Sequence, residues 1–323
     1  MNNFRSSFSD LIHQYINYRI ASGNWNESNY GYCLRKFDNY CADNYPSGSG
    51  LSQEMVDTWC AKKGKELNRS RNTRIRVVRS FIEYLRSRGL TNVESPPLLK
   101  NEPMTYIPHA FTTDELKNFF RECDNIVMSK HSLASQLTKL TCPVLFRLLY
   151  SSGIRTTEAR LLKRKNVDFI NGIIDIQESK GYDQHYVALH PSMTDILRKY
   201  DRAVDRIIPS RVYFFQSAKG SVFNHQWLET QFRKIWKKAN GSDSKAVAYE
   251  LRHHYAITNI NSWNNDSFEF SDKLNYLAKS MGHRWTSSTL YYYSIVPRLS
   301  ETIRDKTEEG FNEIIPEVSY EEE

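Results

Sequence analysis

Val167-Asp168-Phe169-Ile170-Asn171-Gly172-Ile173-Ile174-Asp175-Ile176 is the stretch on which the reading of the fold turns. Two runs of β-prone residues flank an Asn-Gly pair, which tolerates the positive φ angles of a tight hairpin turn. A polar turn follows at Lys180-Gly181-Tyr182-Asp183, and then a third run, His185-Tyr186-Val187-Ala188-Leu189. The expectation is a three-stranded antiparallel meander between about 166 and 190.

On either side the apolar spacing is helical. A long apolar helix is expected over about 132–151, ending at Ser151-Ser152-Gly153. The segment before it opens at Phe111-Thr112-Thr113-Asp114-Glu115, where Thr112 and Glu115 stand at capping-box spacing. From Pro191 to about 306 the chain reads as mainly helical. Upstream, Pro96-Pro97, Pro103 and Pro108, with Asn and Ser between them, deny regular structure to a linker at 93–110. Residues 1–92 carry helical faces such as Leu11, Tyr15 and Tyr18, and again Ile75, Val78, Ile82 and Leu85. Four helices fit there, at roughly 7–21, 26–44, 52–64 and 70–88. The predicted class is mainly α with a small three-stranded antiparallel sheet (α+β). The predicted layout is a helical domain at 1–92, a linker at 93–110, a second domain at 111–306 and an acidic tail at 307–323.

Forty-four lysines and arginines against 37 acidic residues give a net charge of +7 and a pI of about 9.0, which permits a polyanionic partner. The bias is local. Seven arginines fall between Arg69 and Arg88, whereas seven glutamates crowd the last sixteen residues. In the basic run apolar residues recur at helical spacing, so one face can pack while Arg71, Arg74, Arg79 and Arg86 reach phosphates. A solvated amphipathic face is the plainer reading of the same pattern. The five cysteines form no Cys-x-x-Cys pair, which reads as reduced thiols in a cytoplasmic protein. The first residues lack the apolar core of a signal peptide, and no apolar run approaches the ~20 residues that span a bilayer. No phosphate-binding glycine loop, dinucleotide fingerprint or metal cluster appears, so no cofactor and no metal site are expected. His253 and His254 are adjacent, and adjacent helical residues do not share a face.

The chemistry-bearing residues fall in three boxes. Gly153-Ile154-Arg155-Thr156-Thr157-Glu158-Ala159 holds the first arginine, and Tyr249-Glu250-Leu251-Arg252-His253-His254-Tyr255-Ala256 holds the second. Met281-Gly282-His283 precedes Tyr291-Tyr292-Tyr293. Two guanidinium forks suit a phosphodiester that gains negative charge in its transition state. A tyrosine offers an oxygen that can hold a phosphate covalently.

In this order the boxes resemble the tyrosine recombinases, the family of phage integrases and chromosome-dimer resolvases. That family's boxes read Gly-Leu-Arg-x-x-Glu-Ala/Leu, His-x-Leu-Arg-His-x-x-Ala, and Leu-Gly-His followed nine residues later by a tyrosine. His283 plus nine is Tyr292, so the resemblance selects Tyr292 as nucleophile from the three adjacent tyrosines. It makes Arg155 and Arg252 the phosphate clamps, Glu158 the support of Arg155, and His283 a donor to the phosphate. It makes Lys180 the general acid for the leaving 5′ oxygen, with Lys163, Lys165 and Lys219 as weaker competitors. Residues 1–92 become a DNA clamp. The main departure is Tyr249, where the family usually has histidine. A phenol, with an ordinary pKa near 10, is a poor base but can still donate a hydrogen bond to a phosphate oxygen. The segment between Arg252 and His283, including 261–272, is longer than in compact members.

The resemblance implies a site-specific recombinase of a mobile element, working through a 3′-phosphotyrosyl link without metal or ATP. Its expected partners are double-stranded recombination sites, three further copies in a homo-tetramer, and an accessory DNA-bending factor. Its expected place is the bacterial or phage nucleoid. A strand nicking-closing enzyme of the type IB topoisomerase kind shares the chemistry, and a binding protein that has lost catalysis would fit Tyr249.

Overall fold

In the computed structural model the hairpin forms as the Asn-Gly pair predicts. The structure describes residues 4–45, 50–103, 108–127, 132–177, 184–242, 246–263 and 270–293. Strand β1 (Val167–Asp168) pairs antiparallel with β2 (Ile173–Ile176), and β2 pairs antiparallel with β3 (His185–Ala188), in the order β1-β2-β3. The register sets Val167 opposite Ile174 and Ile174 opposite Val187, so these three side chains share the buried face. The turn at 180–183, with Lys180, lies outside the described residues, as does the tail at 307–323.

Among the described residues the other regular elements are helical, and the chain divides into two units, Met1–Tyr106 and Ile107–Glu323. The first contains α1 (Ser9–Ala21), α2 (Tyr32–Asn44), α3 (Gln53–Cys60) and α4 (Asn68–Arg86). Helix α2 starts later than its spacing predicts. The Asn26 side chain accepts from the Asn29 N–H and caps a separate π turn at Glu27–Gly31. Helix α3 stops early, at Cys60, because Ala61 is extended. Its exposed carbonyls are then taken by arginines. Arg71 Nε donates to the Cys60 carbonyl at 2.7 Å, while Arg74 bonds the Trp59 and Ala61 carbonyls and pairs with Glu66. Ile12, Leu34, Phe37, Val56, Val78, Phe81 and Ile82 are fully buried and form this unit's core. The irregular segment after α4 packs on it. Val93 joins the core, and the Asn72 amide both donates to and accepts from the Leu99 backbone, at 2.7 and 2.9 Å.

The second unit opens with α5 (Thr113–Asp124), whose capping box is made at both ends. Thr112 Oγ1 accepts from the Glu115 N–H, and the Glu115 carboxylate accepts from the Thr112 N–H at 2.9 Å. Helix α6 (Leu133–Ser152) carries Pro143 in its interior and closes on Gly153. There follow α7 (Thr156–Leu161), the sheet, α8 (Pro191–Asp205), α9 (His225–Asn240), α10 (Glu250–Asn261), α11 (Phe270–Ser280) and α12 (Ser287–Tyr293). The main core joins Phe119 of α5, Phe146 of α6 and Phe232 and Trp236 of α9 to Ile174 and Val187 of the sheet. A smaller, separate core holds the last helices together: Ala256, Ile260, Leu277, Met281 and Tyr292.

Candidate functional site

Two glycines set the backbone on which the site is built. Gly153 ends α6 at φ +63°, and a Cβ on it would lie 2.2 Å from the Tyr255 ring. Gly282 follows α11 at φ +62°, and a Cβ there would lie 2.4 Å from the His185 ring on β3. Each position needs glycine twice over, for its left-handed backbone and for the close approach of a ring. The chain can therefore turn sharply at both points, and both turns present carbonyl oxygens to the same arginines.

Arg155 is the N-cap residue of α7. The buried Glu158 carboxylate accepts from its backbone N–H at 2.7 Å and pairs with its guanidinium at 2.5 Å. The other terminal nitrogen of Arg155 donates to the Gly282 carbonyl at 2.6 Å. Arg252, on α10, is 1% exposed. Its Nη1 donates to the Gly153 carbonyl at 2.6 Å, and its Nη2 donates to the Met281 carbonyl at 2.7 Å and to His283 Nε2 at 2.8 Å. Its Nε is buried without a hydrogen-bond partner among the described residues. The two guanidinium groups thus tie together turns about 130 residues apart in the chain, and the buried Nε–H of Arg252 has no partner among the described residues.

His283 is held in one tautomer. A guanidinium only donates, so Nε2 accepts from Arg252, and Nδ1 carries the proton it donates to Thr289 Oγ1 at 2.7 Å. Burial, reinforced by the positive charges of Arg252 and Arg155, pushes the imidazole down from 6.5 to about 4. His283 is therefore neutral at physiological pH, and both ring nitrogens are engaged.

Tyr292, on α12, is buried in the smaller core, with its ring stacked on His283 at 6.0 Å and tilted against His253 at 5.2 Å. Burial raises the phenol above its ordinary pKa of 10, and the neighbouring Arg252 guanidinium opposes that rise. Tyr291 is only partly buried and turns its edge to His253 at 6.3 Å. Tyr249 stands at the N-cap position of α10 without a side-chain capping bond, is 40% exposed, and meets the His253 ring edge-on at 5.2 Å.

Arg155, Glu158, Arg252, His283 and Tyr292 are thus brought together, with Tyr249 at their edge. Lys180 lies outside the described residues. In the first unit Arg71 and Arg74 bind the end of α3, Arg79 donates to the Pro96 carbonyl and pairs with Glu83, and Arg86 is exposed. Of the competing lysines, Lys163 pairs with Tyr213 through a β-bridge and lines a small pocket together with Glu158, and Lys219 lies in the turn between Ser217 and Ser221. Sequence reasoning missed His253, the centre of the three-ring contact, and Thr289, fully buried and bonded to His283. The spacing of 249 and 253, one helical turn, was a legible signal for the first. Thr289 has no such signal. No group of three or more metal-ligating side chains occurs among the described residues. A cavity of about 1000 Å³ lies elsewhere, lined by Phe111, Phe120, Tyr150, Met193 and His254.

A model of the phage integrase family matches residues 109–297. A Sinorhizobium fredii protein assigned as an integrase/recombinase, y4rE, is 28% identical over 300 residues, covering 90% of this chain and 93% of its own. The tyrosine recombinase XerC of Lactobacillus delbrueckii subsp. bulgaricus is 23% identical, covering 77% of this chain and 80% of its own. Among solved structures, the XerH site-specific recombinase bound to a palindromic difH substrate superposes with a TM-score of 0.61 at 18% identity, covering 86% of this chain and 78% of that one. The Tn1549 transposon integrase in complex with transposon right-end DNA gives 0.61 at 14% identity, covering 92% and 98%. These likenesses extend the fold comparison over both units.

Proposed function

This chain belongs to the phage integrase family, that of the tyrosine recombinases, and from that premise we propose that it cuts and rejoins DNA through Tyr292. A site-specific recombinase is the coarse function the family supports; the chemistry of the individual residues is our reading. The observation that carries it is the convergence of Arg155, Arg252, His283 and Tyr292, from four separate stretches of chain, onto the turn at 281–283.

In this reading a scissile phosphate displaces backbone carbonyls from the two guanidinium groups and takes the unused Nε–H of Arg252 as well. The forks then stabilise the charge that grows on the non-bridging oxygens. Glu158 fixes the Arg155 fork. Tyr292 Oη attacks phosphorus as the P–O5′ bond breaks, leaving a 3′-phosphotyrosyl link, and Lys180 protonates the departing 5′ oxygen. Attack by a 5′ hydroxyl of a partner duplex reverses these steps and frees Tyr292. Each exchange makes one phosphoester bond for each one broken, so ATP hydrolysis is not required, and the guanidinium groups supply the charge that a metal ion would otherwise provide. His283, with both nitrogens engaged, positions Arg252 and the Tyr292 ring before phosphate arrives. Tyr249, 40% exposed, would donate to a phosphate oxygen.

Two strand exchanges on two sites require four nucleophiles, hence a homo-tetramer on DNA, with a bending factor helping to bring the sites together. Exposed Arg86 and the basic face of α4 would contact backbone phosphates, fixing affinity and register rather than sequence. The host is proposed to be a mobile element.

The test is covalent trapping on a nicked suicide duplex taken from sequence flanking the gene, without metal or ATP. Wild type should form a 3′-linked protein–DNA adduct, and Tyr292→Phe should bind the duplex but form none. An adduct that survives in Tyr292→Phe would overturn the choice of nucleophile. Binding without any adduct in wild type would favour a DNA-binding protein that has lost catalysis.

A further inference from the structure

Two histidines touch the Tyr292 ring, and they differ in one respect that bears on proton transfer. His283 has both nitrogens engaged, Nε2 by Arg252 and Nδ1 by Thr289, so it has no lone pair to offer. His253 is 8% exposed, and its Nδ1 is buried with no hydrogen-bond partner among the described residues. A buried polar atom left without a partner costs about 1–3 kcal/mol, so its retention beside a reacting group calls for a use. Three tyrosine rings surround this imidazole: Tyr249 at 5.2 Å, Tyr292 at 5.2 Å and Tyr291 at 6.3 Å.

Building on the recombinase reading above, we propose that His253, one helical turn beyond Tyr249, is the proton acceptor for the Tyr292 phenol. Residues 249 and 253 stand at the i, i+4 spacing that places side chains on one face of α10. A phenol is a poor base, whereas an imidazole on the same helix face can accept a proton. Burial holds His253 below its ordinary value of 6.5, which keeps it neutral and able to accept. The charged and titratable groups facing it are Glu250, which raises its pKa, and Arg252, which lowers it, with Tyr249, Tyr291 and Tyr292 as the surrounding phenols. In the cleavage step the Tyr292 Oη–P bond forms and the P–O5′ bond breaks. The phenolic proton passes to His253, giving an imidazolium, while the 5′ oxygen takes its proton from Lys180. Rejoining returns the His253 proton to the phenolate and the proton of the attacking hydroxyl to Lys180, so both groups end as they began.

The experiment has two arms. In the first, single-turnover adduct formation on the suicide duplex is followed from pH 5 to 9 in wild type, His253→Gln and Tyr249→Phe. General-base catalysis contributes about 10²- to 10⁴-fold, so His253→Gln should slow cleavage by that factor, with DNA affinity retained, and lose the acid limb of the profile. Tyr249→Phe should keep that limb, whatever its absolute rate. An unchanged limb in His253→Gln, or its disappearance in Tyr249→Phe, overturns the proposal. The second arm needs no DNA: the ¹³Cζ resonance of Tyr292, identified by its loss in Tyr292→Phe, is titrated in the full chain. It should move in a step with a midpoint below 6.5 that vanishes in His253→Gln, while any step near 4 from His283 persists. Identical titrations in the two proteins would overturn the pairing. A wild type that forms no adduct counts against the recombinase reading, and the pairing is then decided by the resonance alone.

Discussion

Arg252→Lys tests whether the second arginine is a structural clamp before it is a chemical one. Arginine offers donors on separate nitrogens, and here Nη1 reaches the Gly153 carbonyl while Nη2 reaches the Met281 carbonyl and His283 Nε2. A lysine carries one nitrogen. Placed where Nη2 now stands, it can keep the Met281 and His283 bonds, but it leaves the Gly153 carbonyl without its donor. A hydrogen bond to a charged group contributes about 1.5–3 kcal/mol, and the site, at 1% exposure, admits little water in compensation. The expected loss is therefore about 2–3 kcal/mol, or roughly a 30- to 150-fold increase in local opening at ~1.4 kcal/mol per tenfold. The assay is native-state hydrogen exchange. The amides of Gly153, Gly282 and His283 are hydrogen-bonded to the Leu149, Lys279 and Ala278 carbonyls, and their exchange should speed up by that factor. Amides in the core of α4, in the other unit, serve as the internal reference. Exchange at the two turns unchanged within about threefold would refute the reasoning, whatever happened to DNA cleavage.

Three further outcomes follow from the same geometry. Gly282→Ala must place a Cβ 2.4 Å from the His185 ring in a left-handed backbone, and should cost about 2–4 kcal/mol, read as a lower midpoint in urea unfolding of the second unit. His283, at about 4 in the folded chain against 6.5 ordinarily, contributes stability that is complete above 6.5 and is lost as pH falls through about 4. Acid unfolding followed in wild type and His283→Gln should accordingly diverge within that window, and parallel curves would contradict the shift. Glu158→Gln exchanges one carboxylate oxygen for a donor facing Arg155, and should slow adduct formation by about tenfold or more while DNA affinity changes little. An unaltered rate would mean that Arg155 does not depend on Glu158 for its position.

Much of the helical layout was legible because its signals are local. The Thr112–Glu115 box, the stop at Gly153 and the Asn171-Gly172 hairpin each act over a few residues, and each formed where predicted. The errors lie at helix ends, where distant partners decide. Helix α3 was expected to run to about 64, yet it ends at Cys60, where Arg71 and Arg74 from the next helix take its free carbonyls. Those two arginines were read as reaching outward to phosphates. Nothing in an amphipathic pattern distinguishes an arginine that points to solvent from one that caps a neighbour.

By itself the sequence determined the family, the α+β class and the order of the chemical groups, since residue identity and spacing carry all three. It could propose Arg155, Arg252, His283 and Tyr292 as a set, but not their mutual arrangement. Only the tertiary structure decided that the arginines clasp the carbonyls of Gly153, Met281 and Gly282, that Arg252 fixes His283 in one tautomer, and that His253, its ring 5.2 Å from that of Tyr292, keeps a buried nitrogen without a partner among the described residues. The physical reason is that hydrogen-bond occupancy and desolvation depend on groups brought together from distant parts of the chain, and no local pattern encodes which of two histidines will have a nitrogen left over.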